Sequence, residues 1–251
     1  MPAPDLTDAY AKLDRARHHI ADLNSEIIKF LATDFYRMRI EPDDGISGIR
    51  IFFDSLHEPD KKVDALIGDA IGNIRSTLDY AAVALAYPIT GKTDGTGFPF
   101  ANNADGFSGE VRSARCLGPC NPIIQNHFIN EVQAYNGGNG HSFWVLNKLR
   151  NIDKHRLLIA TVSIAGVIAS FYNKSNNIRI SDGHFNVRAG ESSALIHMDV
   201  GMDMELTSEP RPTFEVRLSE PPYVEKTPVT PFLQSLARDV EGFLDALKVF
   251  L

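Results

Sequence analysis

Cysteine is scarce in this sequence, and long hydrophobic runs are missing from it. Only Cys116 and Cys120 are present among 251 residues, both in the segment RCLGPC. Two thiols cannot supply the four ligands of a closed structural zinc site. We therefore expect a reduced structural pair, with a redox pair or a metal site that recruits a histidine as the alternatives.

Membrane and export signals are also missing. No uncharged run reaches the roughly 18–20 residues that a membrane-spanning helix needs. The first residues, MPAPDLTDAYAKLDRARHH, lack the apolar core of a secretory signal. These absences predict a cytoplasmic protein with no membrane partner.

Positive charge is in deficit, because 25 Lys and Arg stand against 32 Asp and Glu, which gives a formal net charge of −7. A net negative field argues against broad, sequence-independent adhesion to nucleic acid, so any nucleic-acid contact has to be local. The phosphate-binding loop Gly-x-x-x-x-Gly-Lys-Ser/Thr, the Gly-x-Ser-x-Gly nucleophile elbow and the dinucleotide-binding glycine motif are absent. The histidines show no metal-ligand spacing, so we expect no metal site and no cofactor.

Apolar residues at helical spacing predict a helical part of the protein. The strongest such stretch, Pro59–Ala86, begins with Pro59 and Asp60 in capping positions. The section Tyr87–Pro122 is rich in Gly, Pro, Asn and Asp and contains the segment FPF, which predicts a long ordered loop packed by its aromatic residues. The other predicted helices cover residues 5–31, 123–135, 142–158 and 229–251.

Alternating apolar residues predict strands in two places. FYRMRIE and GIRIFFD, separated by PDDGIS, predict a hairpin or two adjoining strands. After His155, the segments LLIATVSIAGVIASFY, NIRISD, HFNVRAG, ALIHMDV, MDMELTS and TFEVRLS predict an antiparallel sheet of about five or six strands.

The expected fold is therefore α+β, a helical bundle with an antiparallel β-sheet inserted before a C-terminal helix that returns to pack on the earlier helices. We expect a single domain over residues 1–251. Its helical part covers about 1–156 and 229–251, and its β-rich insertion covers about 157–228.

One flank of the central helix carries Gly68, Gly72, Arg75 and Asp79. A glycine in a helix interior costs roughly 1 kcal/mol relative to alanine, so we expect another structure to use the missing side chains. That structure is either another helix or the same helix of a second copy, and the second alternative predicts a homo-oligomer. Arg75 and Asp79, four residues apart, are a candidate ion pair and candidate binding residues.

A basic cluster lies in the segment LNKLRNIDKHRLLIA. Helical geometry places Lys148, Asn151 and His155 on one side, with Arg150 about 140° away from His155. Asn151 is placed to orient the imidazole of His155, and a histidine in such a setting can transfer protons near neutral pH. The alternative is a helix end whose basic residues only match the negative end of the helix dipole.

GDAIGNIRSTLD, at Gly68–Asp79, resembles the motif Gly-Asp-x-x-His-Asn-x-Arg-Ser-x-Leu-Asp-His of a family of uncharacterised bacterial proteins. That family also has a Phe-Pro loop, matched by Phe98–Phe100, and then Asn-x-x-Asp-Lys-His-Arg, to which RNIDKHR at Arg150–Arg156 is similar. The two histidine positions of the first motif hold Gly72 and Tyr80 here. If the family uses those histidines in chemistry, this chain has lost that chemistry, which favours a structural role or a pseudo-enzyme.

The short pattern of Arg150, Asn151 and His155 resembles HEPN domains, helical bundles whose nuclease members carry Arg, a polar residue and then His. The resemblance implies a composite site across a dimer and RNA cleavage that requires no metal. In such a site His155 would assist transfer of the RNA 2′-hydroxyl, Arg150 would stabilise phosphate charge and Asn151 would orient. The remaining candidate binding residues in this segment are Asp153, Lys154 and Arg156.

Three functions are compatible with these features. The first is an oligomeric helical interaction or regulatory protein that uses the glycine flank of the central helix. The second is a HEPN-like, metal-independent ribonuclease or RNA-binding protein of a defence or toxin system. The third is a small-molecule-binding protein that uses the Phe98–Phe100 loop, Arg75 and Asp79.

Overall fold

The computed structural model describes residues 5–43, 48–186, 196–199 and 204–251, and it has the predicted α+β fold. Parts of the predicted segments PDDGIS, HFNVRAG, ALIHMDV and MDMELTS lie outside these residues. The helices are α1 (Leu6–Leu31), α2 (Lys61–Thr90), α3 (Ala104–Val111), α4 (Pro122–His127), α5 (His141–Asp153) and α6 (Val229–Leu247), with a π-helical turn at Phe128–Val132 and a 3-10 turn at Lys248–Phe250. The strands are β1 (Tyr36–Asp43), β2 (Gly48–Ser55), β3 (Ala160–Asn173), β4 (Ile178–Asn186), β5 (Ile196–Asp199), β6 (Met204–Leu206), β7 (Arg211–Glu220) and β8 (Val224–Pro228).

Two long helices, α1 and α2, form the centre of the helical part. Asp5 caps α1 and Asp60 caps α2, because each side chain accepts an N–H from the first turn of its helix. The C-terminal helix α6 contacts α1, α2 and α5, so it returns to the bundle as predicted. The buried face of α1 repeats at helical spacing and consists of Leu6, Ala9, Leu13, Ala16, Ile20, Leu23 and Ile27.

The predicted loop over Tyr87–Pro122 is wrong at its start. α2 continues through Pro88 to Thr90, and Gly91 ends the helix in the left-handed region with a φ of 63°. A proline normally breaks a helix because it removes one hydrogen bond and crowds the preceding turn. Here Pro88 lies in the last turn of α2, so the helix ends two residues after the proline.

The same prediction is wrong in its middle, where α3 forms. The Asn103 side chain accepts the N–H of Gly106 and begins the helix. Phe107 and Val111, four residues apart, bury one face of it. Asn is counted as a loop residue because it competes with regular backbone bonds, but the same property makes it a good helix cap.

Two other predicted helices are shorter than expected. α5 ends at Asp153 rather than at Leu158. After Asp153, the N–H groups of Lys154 and Arg156 donate to the carbonyl oxygens of Arg150 and Ile152, in the last turn of the helix. The helix predicted over residues 123–135 divides into α4 and the π-helical turn, and Gln133 ends that turn with a φ of 48°.

The strands form two antiparallel sheets. The smaller sheet has the order β1-β2-β5 and contains the predicted hairpin, with Tyr36 opposite Ser55. The larger sheet has the order β4-β3-β7-β8, and β6 also pairs with β3. The strands after His155 therefore do not all share one sheet, because β5 joins the hairpin. NIRISD and the start of HFNVRAG form the single strand β4, and the short edge strand β8 was not predicted.

One buried cluster joins the helices to the larger sheet. It contains Leu158 and Ala160, where the chain enters β3, together with Leu218 of β7 and Val224 of β8. The turn between β7 and β8 thus lies against the helical part, beside the C-terminal end of α5.

Candidate functional site

The glycine flank of α2 faces α5. A Cβ atom on Gly68 would lie 2.9 Å from Cγ of Asp153 and closer still to its Oδ1, and one on Gly72 would lie 3.6 Å from Cζ of Arg150. Arg150 Nη1 and Asp153 Oδ2 form an ion pair 2.5 Å apart. Gly68 makes room for the Asp153 carboxylate, whereas a Cβ on Gly72 would lie at ordinary packing distance from Arg150. Another helix of the same chain therefore lies against this flank and uses the missing side chain of Gly68. The homo-oligomer stays a prediction and loses the support that the glycines gave it.

Arg75 holds α5 and the Phe-Pro loop against α2. Its Nε donates to Asn147 Oδ1 at 3.0 Å, and its Cζ lies 4.3 Å from the centre of the Phe100 ring. Its Nη1 lies 2.6 Å from Asp79 Oδ2 as an ion pair, but outside hydrogen-bond geometry. Asp79 Oδ1 accepts the N–H of Phe98 at 2.9 Å. Arg75 and Asp79 are therefore both bonded to other parts of the chain, Arg75 to α5 and Asp79 to the Phe-Pro loop, which is a structural role.

An open cavity lies at the C-terminal end of α5. Its volume is about 470 Å³, and it is lined by Lys148, Asn151, Ile152, His155, Arg156 and Tyr223. None of these lining residues is a carboxylate, although the chain as a whole is acidic. The cavity therefore presents cationic and amide donors to solvent, and such groups bind anions in proteins.

The turn between β7 and β8 forms one side of this cavity. Arg156 donates to the Glu220 carboxylate through Nη1 at 3.0 Å and through Nη2 at 2.6 Å. These hydrogen bonds to Glu220, which is 4% exposed, raise the pKa of Arg156 above its usual value. The N–H of Tyr223 donates to the Glu220 carbonyl oxygen at 2.9 Å. Arg156 thus anchors to α5 the turn that carries Tyr223.

Trp144, one helical turn before Lys148, adds aromatic surface beside the cavity. Its ring centre lies 5.4 Å from that of Tyr223, with the planes 73° apart. Lys148 Nζ lies 5.2 Å from the Trp144 ring centre. Asn102 Oδ1 accepts hydrogen bonds from Trp144 Nε1 at 3.3 Å and from Lys148 Nζ at 2.9 Å. Lys148 and Trp144 are therefore held side by side.

The three residues of the predicted catalytic motif lie in different places: Arg150 and Asn151 belong to α5, whereas His155 follows the end of that helix. Asn151 and His155 line the cavity, whereas Arg150 lies against Gly72 of α2. The predicted angle between Arg150 and His155 assumed one regular helix, but α5 ends at Asp153, before His155. The other predicted binding residues divide similarly: Arg156 lines the cavity, Lys154 is exposed, and Arg75, Asp79 and Asp153 lie in the contacts of α2 with α5 and the loop.

Sequence reasoning missed Glu220, Tyr223 and Asn102. Glu220 is 64 positions from Arg156 in the chain, and Asn102 is 46 positions from Lys148. Neither distance produces a local pattern. The segment SEPPYVEK does indicate a turn, but nothing in it shows which helix end the turn meets.

Burial raises the pKa of Cys116, Cys120 and Asp64, none of which lines the cavity. Cys116 and Cys120 are free and buried, and desolvation raises the pKa of both thiols. Asp64, in the first turn of α2, accepts the N–H of Ala160 at 2.9 Å. Desolvation raises the pKa of this carboxyl although the hydrogen bond opposes the shift. Asp64 thereby connects α2 to the first residue of β3.

Within the described residues, no group of three or more His, Cys, Asp or Glu side chains is placed to hold a metal ion. None of the described helices combines the length and the apolar composition needed to cross a membrane. No protein-family model, curated protein or solved structure matches the chain.

Proposed function

We propose that the protein binds RNA and that the open cavity at the end of α5 receives a phosphate group. The proposal rests on the lining of that cavity, which places Lys148, His155 and Arg156 around one opening. None of the lining residues is a carboxylate. Lys148 keeps N–H donors beyond the one given to Asn102, and Arg156 keeps Nε beyond its two bonds to the buried carboxylate. Asn151 adds a neutral amide donor.

A local site of this kind is compatible with the acidity of the chain. Because the formal net charge is −7, long-range attraction does not draw RNA to the protein. Affinity has to come from a few direct phosphate contacts, each of which releases counterions from the RNA. The proposal therefore concerns short segments of RNA rather than a broad phosphate-binding strip.

Metal-independent cleavage of the bound RNA is a second proposed activity, favoured by the exposure of His155 in the cavity beside Asn151. His155 would take the proton of a ribose 2′-hydroxyl, and that oxygen would attack the adjacent phosphorus. The bond to the 5′-oxygen breaks, leaving a 2′,3′-cyclic phosphate and a 5′-hydroxyl that takes its proton from solvent. Lys148 and Arg156 would stabilise the phosphate charge, the role that the HEPN resemblance gives to Arg150.

Fluorescence anisotropy with a short, end-labelled RNA tests the binding proposal. Lys148→Gln should weaken binding about tenfold, because one charge-assisted hydrogen bond to phosphate is lost. Lys92→Gln is the matched control, since Lys92 is exposed after the end of α2 and does not line the cavity. Equal affinities of the two variants would overturn the proposal.

Denaturing gels of the same RNA, incubated in the presence of a metal chelator, test cleavage. His155→Ala should abolish the appearance of products with cyclic phosphate ends, because no other lining residue can take the proton of the 2′-hydroxyl in this proposal. His184→Ala, at an exposed position of β4, is the matched control and should cleave as the wild type does. RNA that stays intact with the wild-type protein would remove the cleavage proposal and leave binding in place.

A further inference from the structure

We propose that the bound RNA is single-stranded and that one of its bases stacks on the ring of Tyr223. This inference rests on the proposed function, because a phosphate in the cavity would bring the attached nucleoside to the cavity wall. Tyr223 forms part of that wall and is half-buried, so one part of its side chain remains open to solvent.

The turn that carries Tyr223 is anchored before any ligand arrives. Its backbone N–H is bonded to the Glu220 carbonyl oxygen, and the Glu220 carboxylate is held through two bonds by Arg156. Trp144 supports the ring from the α5 side in an edge contact. Because the ring already packs against Trp144 on an anchored turn, a base that stacks on it loses less affinity to side-chain ordering.

The pairing of cationic groups with an aromatic wall distinguishes single strands from duplexes. Proteins that bind single-stranded nucleic acid hold the phosphates with cations and stack unpaired bases on aromatic rings. In a duplex the bases are stacked on one another, so a duplex can offer its phosphates to Lys148 and Arg156 but no free base face to Tyr223. The geometry therefore favours an unpaired nucleotide as the occupant.

The sequence supplies its own optical probe, because Trp144 is the single tryptophan of the chain. We would titrate the full chain with single-stranded oligouridylate, with duplex RNA of equal length and with inorganic phosphate, following tryptophan emission. The single strand should change the emission in a saturable way, since a base on Tyr223 comes next to the Trp144 ring. Inorganic phosphate alone should leave the tryptophan emission unchanged, because it brings no base to Tyr223. In a separate competition experiment, inorganic phosphate should displace labelled RNA from the cavity.

Two substitutions at one position isolate the stacking step. Tyr223→Leu should weaken binding of oligouridylate about 5- to 150-fold, the range expected for loss of one stacked base. Tyr223→Phe keeps the ring and should bind within about twofold of the wild type. Displacement by inorganic phosphate should be unchanged in Tyr223→Leu, which shows that the cavity is intact in that variant.

The outcomes separate this inference from the function on which it rests. If duplex RNA binds as tightly as the single strand, or if Tyr223→Leu binds oligouridylate as the wild type does, stacking is overturned while RNA binding stands. If no RNA binds, or if Lys148→Gln has no effect, the proposed function itself fails.

Discussion

Alanine substitutions at Gly68 and Gly72 should change the stability of the protein in opposite directions. Both glycines lie inside α2, so both substitutions gain roughly 1 kcal/mol of helix propensity. At Gly72 the new Cβ would lie 3.6 Å from the nearest atoms of Arg150, which is ordinary packing distance. Gly72→Ala should therefore raise the melting temperature by about 2–4 °C, the shift expected for 1 kcal/mol in a chain of this size.

At Gly68 the new Cβ would overlap the carboxylate of Asp153, which must then move. Moving it breaks the ion pair with Arg150, in which the Asp153 side chain is 11% exposed and the Arg150 side chain 34% exposed. Breaking a fully buried pair costs about 3–5 kcal/mol, and the partial exposure of Arg150 reduces this to about 2 kcal/mol. After the gain in propensity, Gly68→Ala should lower the free energy of unfolding by about 1 kcal/mol.

Thermal melts of the two single variants and of a double variant measure these effects. In a background that carries Asp153→Ala, Gly68→Ala no longer meets the carboxylate and should become stabilising, as Gly72→Ala is in the wild type. The coupling between the two positions should be about 2 kcal/mol. If Gly68→Ala raises the melting temperature as much as Gly72→Ala does, Asp153 does not lie against α2 and the account of the glycine flank is wrong.

The remaining predictions concern the titration of Asp64, the reactivity of the two thiols and the anchoring of the β7–β8 turn. Burial raises the pKa of Asp64, so this carboxyl stabilises the fold at acid pH and loses that contribution as the pH rises through its raised pKa. The stability of Asp64→Asn relative to the wild type, from urea titrations at several pH values, should therefore increase with pH; a constant difference would refute this. Cys116 and Cys120 should react with a thiol reagent much more slowly in the folded protein than in denaturant, and equal rates would contradict their burial. Arg156→Gln leaves a buried carboxylate without its two-bond partner, so the melting temperature should fall and Trp144 emission should shift; no change in either would show that the turn is anchored otherwise.

The helical part of the fold was predictable because its signals are local. The apolar stripe of α1 and the Pro-Asp start of α2 depend on residues a few positions apart. The loop prediction failed where local signals conflict, since Pro88 lies inside a helix and Asn103 begins one.

The cavity itself was only half predictable. Lys148 and Asn151 share one side of α5, and helical spacing is sufficient to group them; His155 joins them from the turn after the helix. Tyr223 reaches the same place from the other end of the β-rich insertion, and Glu220 holds it there through a contact between distant parts of the chain. A single sequence carries no local pattern for such a contact, because it results from how β7 and β8 pack beside α5.

The salt dependence of RNA binding tests most directly whether the cavity binds phosphate. For a single strand, the slope of log K against log salt concentration changes by about 0.7 for each phosphate neutralised. Lys148→Gln should therefore bind a short single-stranded RNA with a slope shallower by about 0.7 than the wild type, whereas Lys92→Gln should keep the wild-type slope. Identical slopes for all three proteins would contradict the account, because Lys148 would then contact no phosphate.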